Sequence, residues 1–283
     1  MHKMKQNRQQ ITVSFDNGIT STIDENVFKL IKELENQIKN PIKLPYFWNL
    51  SRSIKNIDEN FLKFYSFLLG NARLSKSQLY QDFFVLFTFQ EKKNGTFLEY
   101  GATDGLNLSN TFLLESHFKW KGLLAEPSKK WHSSLKKNRP NSKIIEECIY
   151  SETGKNLNFF TSDAGELSTL EEFRQSDISS MPGNTNLRNK SGYNHKVLTI
   201  SLNDVFKKYF NNSPIDYMSV DTEGSELLIL QNFDFEKFSP KIVTVEHNYT
   251  DSQKKLDALF IENNYTRIFK EYTQFDAWYV LND

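Results

Sequence analysis

Two kinds of hydrophobic pattern divide the chain, and the change falls near Ser77. Before it, Val27, Leu30, Ile31, Leu34 and Ile38 recur at helical spacing after Asp24 and are followed by Pro41, which predicts an amphipathic helix. A second helix is predicted from an Asp58 cap to Gly70. Its Phe61, Leu62, Phe64, Tyr65, Phe67, Leu68 and Leu69 leave little polar face, so it has to be buried on several sides or pack against a second copy of the chain. Ser77 to Phe89 reads as a third helix. From Thr96 onward short apolar runs, TFLEYG, GLLAEP, KIIEECIY, IDYMSVD and KIVTVEHN, alternate with amphipathic segments, the pattern of a mainly parallel α/β sheet covered on both faces. YTRIFKEYT and QFDAWYVLN are separated only by a turn and are expected as an antiparallel pair at the sheet edge. The expected organisation is a mainly helical extension over 1–76 and an α/β domain over 77–283.

Composition narrows this picture in three places. Between Thr161 and Lys196 the chain turns polar and rich in Gly, Ser and Asn, which predicts its least structured segment, either a mobile lid over a site or a flexible insertion. Thirty-five basic residues balance thirty-five acidic ones, so no global field draws the protein to nucleic acid or an acidic membrane. No run reaches the roughly 18 apolar residues of a membrane span, and the start, MHKMKQNRQQ, lacks the apolar segment of a secretion signal. The expectation is therefore no integral membrane segment and a cytoplasmic location. Cys148 is the lone cysteine, which excludes an internal disulfide and a thiolate zinc cluster; it reads as strand core.

Candidate chemistry lies where the strands stop, because ligands of doubly wound sheets gather beyond the carboxyl ends of the strands. Glu99 and Asp104 flank the first turn, Glu126 ends the second strand, Asp221 the fourth, and Glu246 with His247 the fifth. Gly101 and Gly105 allow a close backbone approach or a positive φ. Glu126, twenty-five residues beyond Gly101, is placed to accept the two hydroxyls of a ribose. So far NAD and S-adenosylmethionine fit equally. The turn G-A-T-D-G is not G-x-G-x-x-G, and Asp104 would repel a pyrophosphate at a helix N-terminus while suiting an ammonium and a sulfonium. Charge thus favours S-adenosylmethionine. Ser77, Gln78, Gln81 and Asp82, ahead of the first strand, are candidates for its methionine end.

The run from Ser77 to Trp131, SQLYQDFFVLFTFQEKKNGTFLEYGATDGLNLSNTFLLESHFKWKGLLAEPSKKW, followed by IDYMSVDTEGSELLIL and VEHN, resembles the FkbM family of S-adenosylmethionine-dependent methyltransferases, from about Ser77 to the C-terminus. The resemblance implies a class I methyltransferase fold, a Rossmann-like doubly wound sheet of seven strands with the last antiparallel. It also implies O-methyl transfer to a sugar, glycan or secondary metabolite. Glu99, Gly101, Ala102, Asp104 and Gly105, with Ser109, Asn110, Glu126, Pro127 and Asp221, are then the expected cofactor wall. Tyr100 and Thr103 depart from the family's more usual Ile or Val and Asn.

Methyl transfer requires a hydroxyl held in line with the sulfonium and relieved of its proton. Two routes are open. Asp221 or His247 can act as general base, with Glu223 beside them; or Asp221, Glu246 and His247 can hold Mg2+ that acidifies the hydroxyl. Glu226 suits the first turn of a helix. The expected partner is a small-molecule or glycan acceptor, not nucleic acid, since the charge is neutral and no N-P-P-Y block is present. A methyltransferase acting on a protein or nucleic acid and a non-catalytic binding module are the alternatives, and the N-terminal helices offer a surface for a homo-oligomer.

Overall fold

A computed structural model describes residues 10–14, 20–24 and 59–283, which fall into two units, 1–73 and 74–283. In the first, β1 (Gln10–Ser14) pairs antiparallel with β2 (Thr20–Asp24), with Gln10 opposite Asp24. The sequence pattern placed no strands there. Helix α1 (Glu59–Asn71) buries Phe61, Phe64, Tyr65 and Leu68, as its apolar surface requires. The helix expected over Val27 to Ile38 lies outside the described residues.

The second unit opens with α2 (Gln81–Thr88), four residues later than expected. The Ser75 and Ser77 hydroxyls donate to Asp82 Oδ1, and Tyr80 takes a φ of 66°, so the segment before Gln81 is a side-chain-bonded turn instead of a helical one. Then come β3 (Thr96–Tyr100), α3 (Phe112–Phe118), β4 (Lys121–Ala125), α4 (His132–Asn138) and β5 (Lys143–Ile145). After an insertion follow α6 (Leu202–Tyr209), β10 (Tyr217–Val220), α7 (Glu226–Gln231), α8 (Phe235–Phe238), β11 (Ile242–Glu246), α9 (Ser252–Glu262), β12 (Tyr265–Ile268) and β13 (Asp276–Leu281). Seven of these strands form one sheet in the order β12-β13-β11-β10-β3-β4-β5. All pairs are parallel except those of β13, which slots between β11 and β12. Helices cover both faces, so the inner strands are mainly apolar: Leu98, Leu123, Met218 and Val243 are at most 1% exposed. The chain leaves β3 toward β4 on one side and returns through β10 on the other, so the strand order reverses at the carboxyl end of β3.

KIIEECIY is not one strand. It breaks at Glu146, which pairs with Lys136 and His132, and its second half, β6 (Cys148–Tyr150), joins a separate sheet. That sheet runs β6-β9-β7-β8 and is built from β7 (Asn156–Ser162), β8 (Thr169–Leu170) and β9 (Gly192–Ser201). With α5 (Pro182–Lys190) it makes the 161–196 segment an ordered layer, contrary to the expectation of little structure. Its own small core packs Cys148, Phe159, Leu170 and Val197.

Candidate active site

The turn after β3 is shaped by its neighbours. Gly101 has a φ of 80°, and a Cβ there would collide with the carbonyl oxygen of Asp221, at the end of β10. Gly105 has a φ of 73°, and a Cβ would run into Leu135 and Arg139. Glu99, at 3% exposure, accepts from the Asn110 amide (2.6 Å) and from the Ser109 and Thr111 hydroxyls, with Arg139 3.6 Å away. It therefore fixes the 109–111 loop over the strand ends. Glu126 accepts the Thr103 amide on one oxygen (2.8 Å) and the Ser128 amide on the other (2.7 Å). Burial pushes its carboxyl up to about 7 against those two bonds.

These groups line a cavity of about 280 Å³ at the reversal point of the sheet, together with Gly101, Ala102, Ser109, Asn110, Pro127 and Asp221. Gln81 borders a small adjoining cavity of about 10 Å³ and donates to Asp276 (2.9 Å). Asp82, Asp104 and Gly105 line neither cavity. Asp82 is buried under Ser75, Ser77 and the Phe83 amide. Asp104 turns back on its own loop, accepting from the Leu106 and Asn107 amides at 2.8 Å each, so it does not supply the negative charge expected of it beside the cofactor. Gly105 packs against α4 and its end.

The reacting end is acidic. Asp221, Glu223 and Glu246 bring carboxylate oxygens within 4.8 Å of one another. Burial, with Glu226 and Asp276 nearby, pushes Asp221 up to about 8. Burial and the Asp221 charge likewise raise Glu223 and Glu246 well above the usual carboxylate range. Glu226 caps its own loop, accepting from the Thr222 and Gly224 amides. His247 is a correction to both routes. Its Nδ1 accepts the Tyr249 amide (3.1 Å), and its Nε2 lies 3.1 Å from the Asp276 carbonyl and 3.4 Å from Arg267. Burial and Arg267 push it down to about 4, so it is a neutral core histidine with both nitrogens occupied, and Glu223 takes its place in the cluster.

Sequence reasoning missed the far walls. Trp131, Cys148, Ile149 and Phe159 also line the cavity. The insertion contributes Leu167, Leu170, Met181, Asn184 and Leu187. Cys148 is indeed a buried strand residue, but on the cavity wall, and burial pushes its thiol up to about 12, far from a reactive thiolate.

Six acids line the cavity, Glu99, Glu126, Glu166, Asp221, Glu223 and Glu246, and among the described lining residues there is no Lys, Arg or His. Such a wall suits a ligand bearing a sulfonium and an ammonium and opposes a pyrophosphate. Asn110 Oδ1 and Glu246 Oε2 are buried there without a hydrogen-bond partner among the described residues, acceptors placed for a cationic guest. The Glu126 carboxylate keeps lone pairs for ribose hydroxyls. Sheet order, reversed last strand and acid-lined cavity together define a class I S-adenosylmethionine-dependent methyltransferase. The profile described as Methyltransferase FkbM domain matches residues 99–279, and the chain belongs to that family.

No curated protein matches the sequence. Among solved structures it is similar to a TehB-like methyltransferase from Corynebacterium glutamicum at 7% identity, covering 80% of this chain and 97% of that one with a TM-score of 0.39. A methyltransferase from Aquifex aeolicus gives 10%, 80%, 100% and 0.37 in the same order. Aeropyrum pernix fibrillarin, with bound S-adenosylmethionine, gives 9%, 67%, 67% and 0.35. Likeness this distant bears no weight on substrate. Among the described residues no helix is long and apolar enough to cross a membrane.

Proposed function

We propose that the enzyme transfers a methyl group to a hydroxyl of a sugar, glycan or secondary metabolite, with residues 77–283 as the transferase domain. The observation that supports this best is the meeting of Asp221, Glu223 and Glu246 on the wall of the cofactor cavity. When bound, S-adenosylmethionine supplies a methyl on a positively charged sulfur. Glu126 holds the ribose hydroxyls. Asp221 would take the proton of the acceptor hydroxyl, a role suited to a carboxyl whose proton affinity burial has raised into the neutral range. The insertion shields the reacting atoms from water, so that positioning and electrostatics count for more. The absence of basic groups among the described wall residues disfavours acceptors that carry phosphate next to the hydroxyl, nucleic acid included.

Incubating the protein with S-adenosylmethionine carrying a deuterated methyl and a small-molecule cell extract tests this by mass spectrometry. A labelled methyl ether, absent with Asp221→Asn, is the expected product. Label found only on nitrogen or on protein, or no label at all, would remove the reading.

A second reading has its own support. Glu246 Oε2 has no partner among the described residues, and it belongs to the cluster of three carboxylates that can surround a divalent cation. Asp221, Glu223 and Glu246 would then hold Mg2+ and acidify the acceptor hydroxyl, with His247 excluded. Loss of transfer after chelation, restored by Mg2+, is the result expected on this reading; transfer indifferent to prolonged chelation leaves Asp221 as base alone.

A further inference from the structure

Arg188 sits on α5 within the insertion, and its side chain is fully buried. A guanidinium has five N–H donors, and here each has an acceptor. Nε donates to the Leu167 carbonyl (2.8 Å), and Nη1 to the Arg174 carbonyl (3.1 Å) and Asp177 Oδ1 (2.7 Å). Nη2 donates to Asp177 Oδ2 (3.2 Å) and, at 2.6 Å, to Glu223 Oε2. Four acceptors belong to the insertion; the fifth is an acid on the cavity wall, one of the three that form the reacting cluster.

The same junction is stitched through the backbone. Thr169 donates to the carbonyls of Thr222 and Glu223 at 3.1 Å, and Ser176 donates to the Glu223 carbonyl at 3.4 Å. Glu223 is held at a φ of 59°, uncommon for a residue with a side chain. Gly224 follows at a φ of 126°, where a Cβ would strike Ser176 and Phe173. Asp177 alone could neutralise Arg188; the remaining N–H instead takes one Glu223 oxygen, which fixes the direction of the other.

We propose that Arg188 is a positioning residue through which the insertion sets the carboxylate of Glu223. Its bond to Glu223, with those from Thr169 and Ser176, ties the insertion to the 221–226 loop, so whatever contacts Leu167 on the cavity wall touches the segment whose carbonyl holds Arg188. This rests on the reading of Glu223 as part of the reacting cluster.

The test is a double-mutant cycle in the full-length protein with Arg188→Gln, Arg188→Lys, Glu223→Gln and the Arg188→Gln/Glu223→Gln pair. Each is assayed for transfer of the deuterated methyl into the same extract at saturating cofactor. Arg188→Gln should slow transfer on the order of 100-fold, the scale of a misplaced reacting group. Arg188→Lys should recover most of it, and the pair should be no slower than the poorer single variant. Hydrogen exchange with S-adenosylhomocysteine bound supplies a readout independent of turnover. Glu223→Gln should speed exchange in residues 174–190, and Arg188→Gln in residues 221–226. Effects on transfer that multiply, a wild-type rate in Arg188→Gln, or unchanged exchange in 174–190 with Glu223→Gln would each overturn the coupling. A wild-type rate in Glu223→Gln would overturn both it and the role of Glu223. If wild type transfers no label, the proposed activity fails and exchange alone decides the coupling. Should Arg188→Gln not fold, exchange in residues 174–190 with Glu223→Gln decides the coupling.

Discussion

Glu126 shows how a buried acid can serve two masters at the scale of single atoms. One amide N–H on each oxygen holds it in place, and the remaining lone pairs face the cavity. Glu126→Ala should weaken S-adenosylmethionine binding by about 1.5–3 kcal/mol, the range for hydrogen bonds to a charged group; calorimetry on the folded variant checks it. His247 leads to the opposite expectation. Because both ring nitrogens serve the Tyr249 amide and the Asp276 carbonyl, His247→Phe should lower stability by about 1–3 kcal/mol through the groups left unpaired. Transfer per folded molecule should survive, as activity measured alongside denaturant melts would show. The sequence made the acids legible, since Glu99, Glu126, Asp221 and Glu246 stand at strand ends whatever their rotamers. It could not show that the ring beside Glu246 turns into the sheet, or that Asp104 turns back on its loop. Those are matters of side-chain direction, decided by β13 and by the amides of Leu106 and Asn107.

Elements buried on both faces were the readable ones. β3, β4, β10 and β11 are apolar runs because helices cover them on either side, and the alternation of patterns marks each as a strand of a mainly parallel sheet. β7 and β9 were not readable. Much of β9 is exposed, with Tyr193 and Leu198 half in solvent and Val197, Thr199 and Ile200 turned inward, so its composition resembles a loop. The hairpin of β1 and β2 escaped for a different reason. Its signal is the Asn17-Gly18 dipeptide between short β-branched runs, a shorter pattern than the helical spacing that follows it. The ordered second sheet changes what the insertion should do in solution. Amides of Phe159 and Phe160, paired with His195 and Asn194 across β7 and β9, should exchange slowly in the free protein, where a mobile lid would exchange fast. Phe159→Ala should cost about 3–5 kcal/mol in this small core, seen as faster exchange across 156–201 while the seven-stranded sheet keeps its protection.

For the molecule as a whole, buried acids set the response to pH. His195 and His247, both pushed below their usual value by burial, work one way as their unfolded forms lose protons near pH 6.5, but the four cavity acids held high by burial work the other way and outnumber them. Glu126, at about 7, and Asp221, at about 8, bind protons in the folded state that the unfolded chain has already released. Stability from such groups is lost as pH rises through their folded values. The Tm of the ligand-free protein should therefore fall from pH 6.5 to 8, and a flat or rising Tm in differential scanning calorimetry would contradict it. The strand order carries a consequence for how the chain is made. β13 comes last of the sheet strands in sequence yet lies inside the sheet, between β11 and the edge strand β12, whose neighbour in the sheet it is. On the ribosome, β11 must wait beside an open slot and β12 must wait unpaired until residues 276–281 emerge. Closure of the sheet, and with it the Asp276 carbonyl that anchors His247 next to the reacting cluster, comes only after every other strand of the sheet has been made.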